Sequence, residues 1–130
     1  MSTFKNFEEI IAWQKARELC KKLKPLIDGM KAGGDYRFKE QLISSAGSIM
    51  DNIAEGFERQ GNKEFVQFLY IAKGSCGEVR SQVYRAFDYG YLTQEECDII
   101  LADALEISRI LYGLIDKMYK SGFSGPKFNH

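Results

Sequence analysis

The feature that most constrains the fold of this chain is a set of four long segments in which apolar residues recur every three or four positions, as on one face of an α-helix. The segments cover residues 7–30, 36–59, 62–89 and 93–120, and short polar or glycine-containing stretches separate them. No window shows the strict alternation that is typical of a half-buried strand. Long helices joined by short loops pack beside their antiparallel neighbours. The sequence therefore predicts an all-α fold, an antiparallel up-down-up-down four-helix bundle.

The first and fourth segments carry the sequence signals of helix ends. Asn6 with Glu9, and Thr93 with Glu96, have the spacing of a capping box, in which the two side chains each satisfy a free backbone N–H group of the first turn. Pro25 lies inside the first segment, where its missing N–H group removes one helical hydrogen bond. We therefore expect capped starts for both helices, and a kink or an early end in the first.

Length, charge and cysteine content restrict the class of protein. The 130 residues suit one domain, and 18 basic residues balance 18 acidic ones, which does not favour a generally basic nucleic-acid binder. The apolar runs are too short to span a membrane, and no signal-peptide pattern is visible. Cys20, Cys76 and Cys97 lie on predicted apolar faces, which is typical of reduced core thiols in a cytoplasmic protein. We expect a bundle domain over residues 1–120 and a flexible C-terminal tail over residues 121–130.

The second helix carries a polar stripe beside its apolar ridge, and the third helix has polar residues on a matching face. A turn near Gly61 places residues 44–48 against residues 74–77, and the small side chains of both segments permit close approach. Such a stripe can be a hydrogen-bonded layer that sets helix register, a flank exposed to water, or a contact surface for another subunit or a ligand. The stripe residues are Gln41, Ser45, Ser48, Asn52, Glu55 and Arg59, and those on the third helix are Glu64, Ser75, Glu78, Gln82 and Arg85.

The fourth helix is apolar around much of its circumference. A helix of this kind is expected to be buried on more than one side. Because one small bundle cannot cover all of these residues, the sequence predicts self-association into a homo-oligomer. The apolar residues outside its inward stripe are Ile99, Leu105, Ile110, Tyr112 and Ile115.

A local cluster of basic residues lies within three turns of the first helix. The phosphates of RNA or DNA are the groups that such a cluster can contact without reading sequence. The alternative is a solvated helix face, since charge runs on the outside of bundles are common. The candidate nucleic-acid contacts are Lys15, Arg17, Lys21, Lys22 and Lys24.

Patterns for catalysis and metal binding are missing from the sequence. The single histidine, His130, stands at the last position, where it is not easily held beside a nucleophile. The sequence has no Glu-x-x-His motif for a di-iron site, no glycine-rich phosphate loop and no cysteine pair at zinc-ligand spacing. Glu55 and Glu78 could pair as carboxylates, but a register-setting or intersubunit role suits them better. We expect no enzymatic activity, no cofactor and no metal.

Two stretches carry a family resemblance, residues 41–56 (QLISSAGSIMDNIAEG) and residues 64–78 (EFVQFLYIAKGSCGE). They resemble the second and third helices of the four-helix bundle proteins encoded in 23S ribosomal RNA intervening sequences. Phe7, Trp13 and the Gly-Tyr-Leu turn at residues 90–92 are also similar to the pattern of that family. The resemblance covers nearly the whole chain up to the tail.

The resemblance implies an antiparallel bundle that assembles into a homopentameric ring and has no established biochemical activity. A related branch of the family serves as the accessory protein of diversity-generating retroelements, where a basic pentameric barrel engages reverse transcriptase and nucleic acid. This chain has Ser44 and Ser45 where family members often have basic residues. We interpret it as a non-enzymatic homo-oligomer that contacts RNA or DNA through phosphate-directed basic residues. The alternative is a protein-interaction scaffold without nucleic-acid binding, for example a reverse-transcriptase accessory protein.

Overall fold

The computed structural model describes residues 4–30, 33, 35–59 and 61–121, and it confirms the predicted all-α architecture of four helices. A short 3-10 helix over Phe7–Glu9 precedes them. The four helices are α1 (Ile11–Asp28), α2 (Tyr36–Glu58), α3 (Asn62–Asp88) and α4 (Gln94–Ser121).

The start of α1 differs from the prediction. Asn6 makes no side-chain cap, and the Glu9 carboxylate instead accepts a hydrogen bond from the Lys5 backbone N–H at 3.0 Å. Ile10 has an extended backbone and its side chain is buried, so the chain is redirected toward the core just before the α-helix begins. The predicted capping box at Asn6 is therefore wrong, because burial of Ile10 decides where the helix starts.

The other predicted capping box is confirmed. Thr93 Oγ1 accepts a hydrogen bond from the Glu96 backbone N–H at 3.1 Å, and the Glu96 carboxylate accepts one from the Thr93 N–H at 2.9 Å. α1 continues through Pro25 and ends at Asp28, two residues before the end of the predicted segment at residue 30.

The bundle is a square in which each helix packs against two neighbours. α1 and α3 both pack against α2 and α4, and the backbones of the two diagonal pairs do not approach closely among the described residues. The outer face formed by α1 and α2 therefore lies opposite the outer face formed by α3 and α4. One apolar core fills the centre, and its largest fully buried side chains are Phe65, Ile10, Leu19, Leu23, Ile27, Leu42, Ile49, Ile53, Leu69, Ile100, Ile107 and Leu111.

Two positions at the edge of the core differ from the prediction. The apolar spacing of Val79 and Val83 predicts Phe87 on the inward face of α3, but Phe87 is exposed. Ile115 was expected outside the inward stripe of α4 but is buried. Since α4 packs between α1 and α3, its inward face is wider than a single stripe.

Close approach of α2 to α3 depends on Gly56. A Cβ atom at Gly56 would lie 2.5 Å from the Phe68 Cβ, so no larger residue fits there. By contrast, a Cβ at Gly47, Gly74 or Gly77 would have no neighbour within 4 Å outside its own helix. These three glycines therefore do not bring the two helices together, whereas Ser48 and Ser75 of the same two segments are in contact.

Within the described ranges, no helix is both long enough and apolar enough to cross a membrane. α4 continues to Ser121, the first residue of the predicted tail. The rest of that tail, residues 122–130, lies outside the described residues.

Candidate functional site

A short hydrogen-bonded ladder joins α2 to α3 in the middle of the polar stripe. Ser48 Oγ and Ser75 Oγ are 3.0 Å apart, and the Asn52 side-chain amide donates to the Ser48 Oγ and to the Ser48 carbonyl oxygen, each at 2.8 Å. The pairing of Ser48 with Ser75 agrees with the register expected from a turn near Gly61. Ser75 is buried, and Ser48 and Asn52 are half-buried, so these bonds take the place of contacts with water.

On one side of this ladder, toward the start of α2 and the end of α3, the two helices form a polar groove of about 670 Å³. Ser45 is buried there and donates to the Gln41 carbonyl oxygen at 2.9 Å. Glu78 lines the groove together with Ser44 and Ser45, as the register predicts. The lining residues are Arg37, Glu40, Gln41, Ser44, Ser45, Ser48, Glu78, Ser81, Gln82 and Arg85.

Opposite charges stand at different levels of this groove. The Arg85 guanidinium lies 5.1 Å from the ring centre of the buried Phe38, so a cation–π contact holds it at the open end, near Arg37. Glu78 precedes Arg85 by two turns of α3. In the part of the chain that the structure covers, neither Arg37 nor Glu78 forms an ion pair. Both signs of charge therefore remain available to a ligand.

The groove also contains an unpartnered buried amide. The Gln82 side chain is 4% exposed, and its Oε1 has no hydrogen-bond partner among the described residues. A buried polar atom left unpaired costs about 1–3 kcal/mol. The sequence placed Gln82 on the matching face of α3, but it did not point to Arg37, Glu40 or Ser81. The four-residue spacing that continues the polar stripe back from Gln41 is the signal that could have found Arg37.

The far end of the polar stripe does not reach the groove. Glu55 and Arg59 form an exposed ion pair at 2.9 Å, and the Arg59 guanidinium lies 4.9 Å from the ring centre of Phe68. Since Glu78 lies beside Ser45, Glu55 is on the order of 15 Å further along α2. The structure therefore does not bring the Glu55 and Glu78 carboxylates together.

The five candidate nucleic-acid contacts on α1 all have nearby partners. Lys22 pairs with Asp103 at 2.6 Å and Lys15 with Glu106 at 3.5 Å, both across the α1–α4 boundary. These pairs reduce the net positive charge that α1 presents to a polyanion. The other three interactions are within α1: Lys21 with Glu18 at 3.3 Å, Lys24 with Asp28 at 2.9 Å, and the Arg17 guanidinium 5.8 Å from the Trp13 ring centre.

The three cysteines are free thiols. Burial raises the pKa of the Cys76 thiol to about 12, although the nearby charges of Lys73 and Arg80 act to lower it. Burial also raises the pKa of the half-buried Cys20 and of the buried Cys97. Protonated thiols are poor nucleophiles and poor metal ligands. No group of three or more potential metal ligands occurs within the described ranges.

Four tyrosines form an aromatic ridge on the outer face of α3 and α4. Tyr70, Tyr84, Tyr112 and Tyr119 are 48–60% exposed. The side chains of Tyr70 on α3 and Tyr119 on α4 are hydrogen-bonded, so the two helices are in contact along this ridge. Desolvation, and to a smaller extent this hydrogen bond, raises the pKa of Tyr70. Gly77 lies between Tyr70 and Tyr84 on the same face, with open space where a side chain would be.

The opposite face, formed by α1 and α2, carries an apolar groove of about 470 Å³. The Ile43 side chain is 41% exposed at its edge. The lining residues are Cys20, Lys21, Leu23, Lys24, Ile27, Ile43, Ala46 and Gly47.

Comparison with known proteins identifies the fold and the family. A protein of unknown function from the S23 ribosomal protein family of Bacteroides thetaiotaomicron VPI-5482 has a similar structure, with a TM-score of 0.74 and 23% sequence identity over 81% of this chain and 98% of that chain. At this identity the likeness shows the fold alone. The comparison with curated proteins gives no match. The family model described as 23S rRNA-intervening sequence protein matches residues 8–113, and the chain therefore belongs to the 23S rRNA-intervening sequence protein family.

Proposed function

We propose that the chain is a non-enzymatic subunit of a homo-oligomeric, ring-shaped scaffold in the cytoplasm. The observation that carries the proposal is the position of the aromatic ridge and the apolar groove on opposite faces of one bundle. When one copy places its ridge against the groove of the next, each added copy leaves one ridge and one groove free. Such a head-to-tail contact closes into a ring when the rotation between copies permits. Five subunits, the number that the family resemblance implies, is the proposed stoichiometry.

Two features of the aromatic ridge support burial against a second copy. Tyrosine rings provide a large contact area and keep a hydroxyl group for a polar partner. Gly77 interrupts the helix surface between Tyr70 and Tyr84, and a glycine inside a helix costs about 1 kcal/mol relative to alanine. Close approach of a neighbouring subunit at this glycine would offset that cost.

The proposal is tested by measuring molar mass in solution with size-exclusion chromatography and light scattering. The wild-type chain is expected to have a mass five times the 14.9 kDa of one subunit. The variants Tyr112→Glu in the ridge and Ile43→Glu at the groove are each expected to be monomers, because each places a charge at one side of the contact. Tyr36→Glu, at an exposed position at the start of α2, is the matched control and should keep the wild-type mass.

Mixing the two monomeric variants tests the head-to-tail geometry. The Tyr112→Glu variant keeps a working groove and the Ile43→Glu variant keeps a working ridge, so the mixture should stop at a heterodimer. If Ile43→Glu alone formed dimers, the contact would be ridge to ridge and the head-to-tail arrangement would be wrong. A wild-type chain that stays monomeric at high concentration would overturn the scaffold proposal.

Contact with RNA or DNA through α1 is the second candidate function. The exposure of Arg17, Lys21, Lys22 and Lys24 favours it, since exposed ion pairs are weak and a phosphate can replace the carboxylate partner. We rank it second because these cations already have partners, and because two of them border the apolar groove that the ring would cover. A protein partner, of which a reverse transcriptase is the first to test, is compatible with either candidate.

A further inference from the structure

We propose that the polar groove between α2 and α3 binds a short, extended, free peptide of about three residues through its ammonium and carboxylate ends. This inference does not depend on the ring, because the groove lies between α2 and α3 and shares no lining residue with the apolar groove between α1 and α2. It depends on three properties of the groove: the separation of its charges, its unpartnered amide, and its polar lining.

The charges of the groove define the two ends of the ligand. Arg37 and Arg85 can bind a carboxylate at the open end, and Glu78 can bind an ammonium group toward the Ser48–Ser75 ladder. Glu78 and Arg85 are seven residues apart on one helix, about 10 Å along its axis. An extended tripeptide has about the same length between its terminal groups.

The middle of the groove suits the peptide groups of such a ligand. Peptide groups both donate and accept hydrogen bonds, and Gln41, Ser44, Ser81 and Gln82 offer both kinds of partner between the charged ends. The Gln82 Oε1 has no partner, and a peptide N–H is the donor that it lacks. Because the terminal torsion of glutamine is soft, a rotation of the amide can turn this closed-off oxygen toward the ligand.

Other ligand classes fit the groove less well. All of its lining residues are polar or charged, so it offers little apolar surface on which a nucleotide base or a lipid chain could pack. Glu40 adds a negative charge on the same helix as Arg37, which disfavours a dianionic phosphate at the open end. A ligand with one negative and one positive end matches the charges best.

The probe is triglycine, titrated into the isotopically labelled full chain and followed by NMR at the side-chain amide of Gln82, with calorimetry for the dissociation constant. Triglycine is expected to shift the Gln82 side-chain signals in a saturable manner. N-acetyl-triglycine lacks the ammonium group and triglycine amide lacks the carboxylate, so each should bind at least tenfold more weakly. Equal binding of all three peptides, or no shift of the Gln82 signals, would overturn the proposal.

Two variants and two controls assign the charged ends. Glu78→Gln should weaken triglycine binding at least tenfold without changing the affinity for N-acetyl-triglycine, and Arg37→Gln should weaken triglycine binding without changing the affinity for triglycine amide. The controls Glu58→Gln and Arg109→Gln change exposed charges outside the groove and should bind triglycine like the wild type. If the controls weaken binding as much as the groove variants, the effect is one of net charge and the assignment is wrong. The molar mass of each sample, measured in parallel, separates this result from any failure of the ring proposal.

Discussion

The hydroxyl groups of Ser48 and Ser75 share one hydrogen bond, 3.0 Å long, that joins α2 to α3 at one end of the polar groove. Asn52 holds this pair from one turn further along α2, with its amide 2.8 Å from the Ser48 Oγ. Ser45 and Glu78 line the groove about one turn away from this bond, on α2 and α3 respectively. The helix register that brings Ser48 to Ser75 thus also brings Ser45 and Glu78 to the same groove.

We expect Asn52→Ala to lower the free energy of unfolding by about 1 kcal/mol, because it removes two hydrogen bonds from a half-buried position. Glu55→Ala, on the same helix, removes only an exposed ion pair with Arg59 and should leave stability unchanged within error. Urea unfolding of the two variants measures the difference. Equal losses of stability in the two variants would mean that the whole polar stripe stabilises the fold, and not only the hydrogen bonds of Ser48, Asn52 and Ser75.

We expect Gly56→Ala to destabilise the fold by about 1–3 kcal/mol, because the new methyl group would overlap the Phe68 side chain 2.5 Å away. Gly74→Ala is the matched control on α3, where a methyl group meets no neighbour outside its own helix. The control should raise the stability of the chain by roughly 0.5–1 kcal/mol through helix propensity. Thermal or urea unfolding distinguishes the two, and a loss of stability in both would contradict the assignment of Gly56 as the close contact.

We expect the affinity of α1 for RNA to increase when the carboxylates that form ion pairs with its lysines are removed. Asp103→Asn releases Lys22 from its 2.6 Å ion pair and should tighten binding of a labelled structured RNA in fluorescence anisotropy. The triple variant Lys21→Glu, Lys22→Glu, Lys24→Glu should weaken binding, and the dependence of log K on log salt should become shallower by about one for each phosphate contact removed. No binding at low salt by the wild type and by Asp103→Asn would remove α1 as a nucleic-acid contact.

We expect the stability of the chain to fall as the pH rises above 9. The Cys76 thiol ionises near its ordinary pKa of 9.0 when unfolded, but burial raises the pKa to about 12 in the fold. Between pH 9 and 12 the unfolded state binds fewer protons than the folded state, so the free energy of unfolding decreases as the pH rises. Below pH 9 the Cys76 thiol is protonated in both states, and this loss of stability is absent. Urea midpoints across this range should decline less steeply in Cys76→Ala, and equal slopes would show that other groups cause the decline.

The sequence predicted those features that depend on residues one or two turns apart. The Thr93–Glu96 capping box formed as expected because both partners belong to the same helical turn. The capping box expected at Asn6 did not form, because the burial of Ile10, a tertiary effect, redirects the chain there. Gly47 and Gly77 were likewise predicted to lie between α2 and α3, but neither does. Residue spacing shows which residues share a face of a helix, but not how that helix is rotated against its neighbour.

Apolar periodicity by itself determined that this protein folds as four helices, and the turn near Gly61 determined that Ser48 meets Ser75. Only the tertiary structure decided that Lys22 faces Asp103, that Gln82 is left without a partner, and that the aromatic ridge and the apolar groove lie on opposite faces. The physical reason is the range of the interactions. Periodicity and caps arise from neighbours within a few residues, whereas ion pairs between helices and the depth of a groove depend on how distant helices pack.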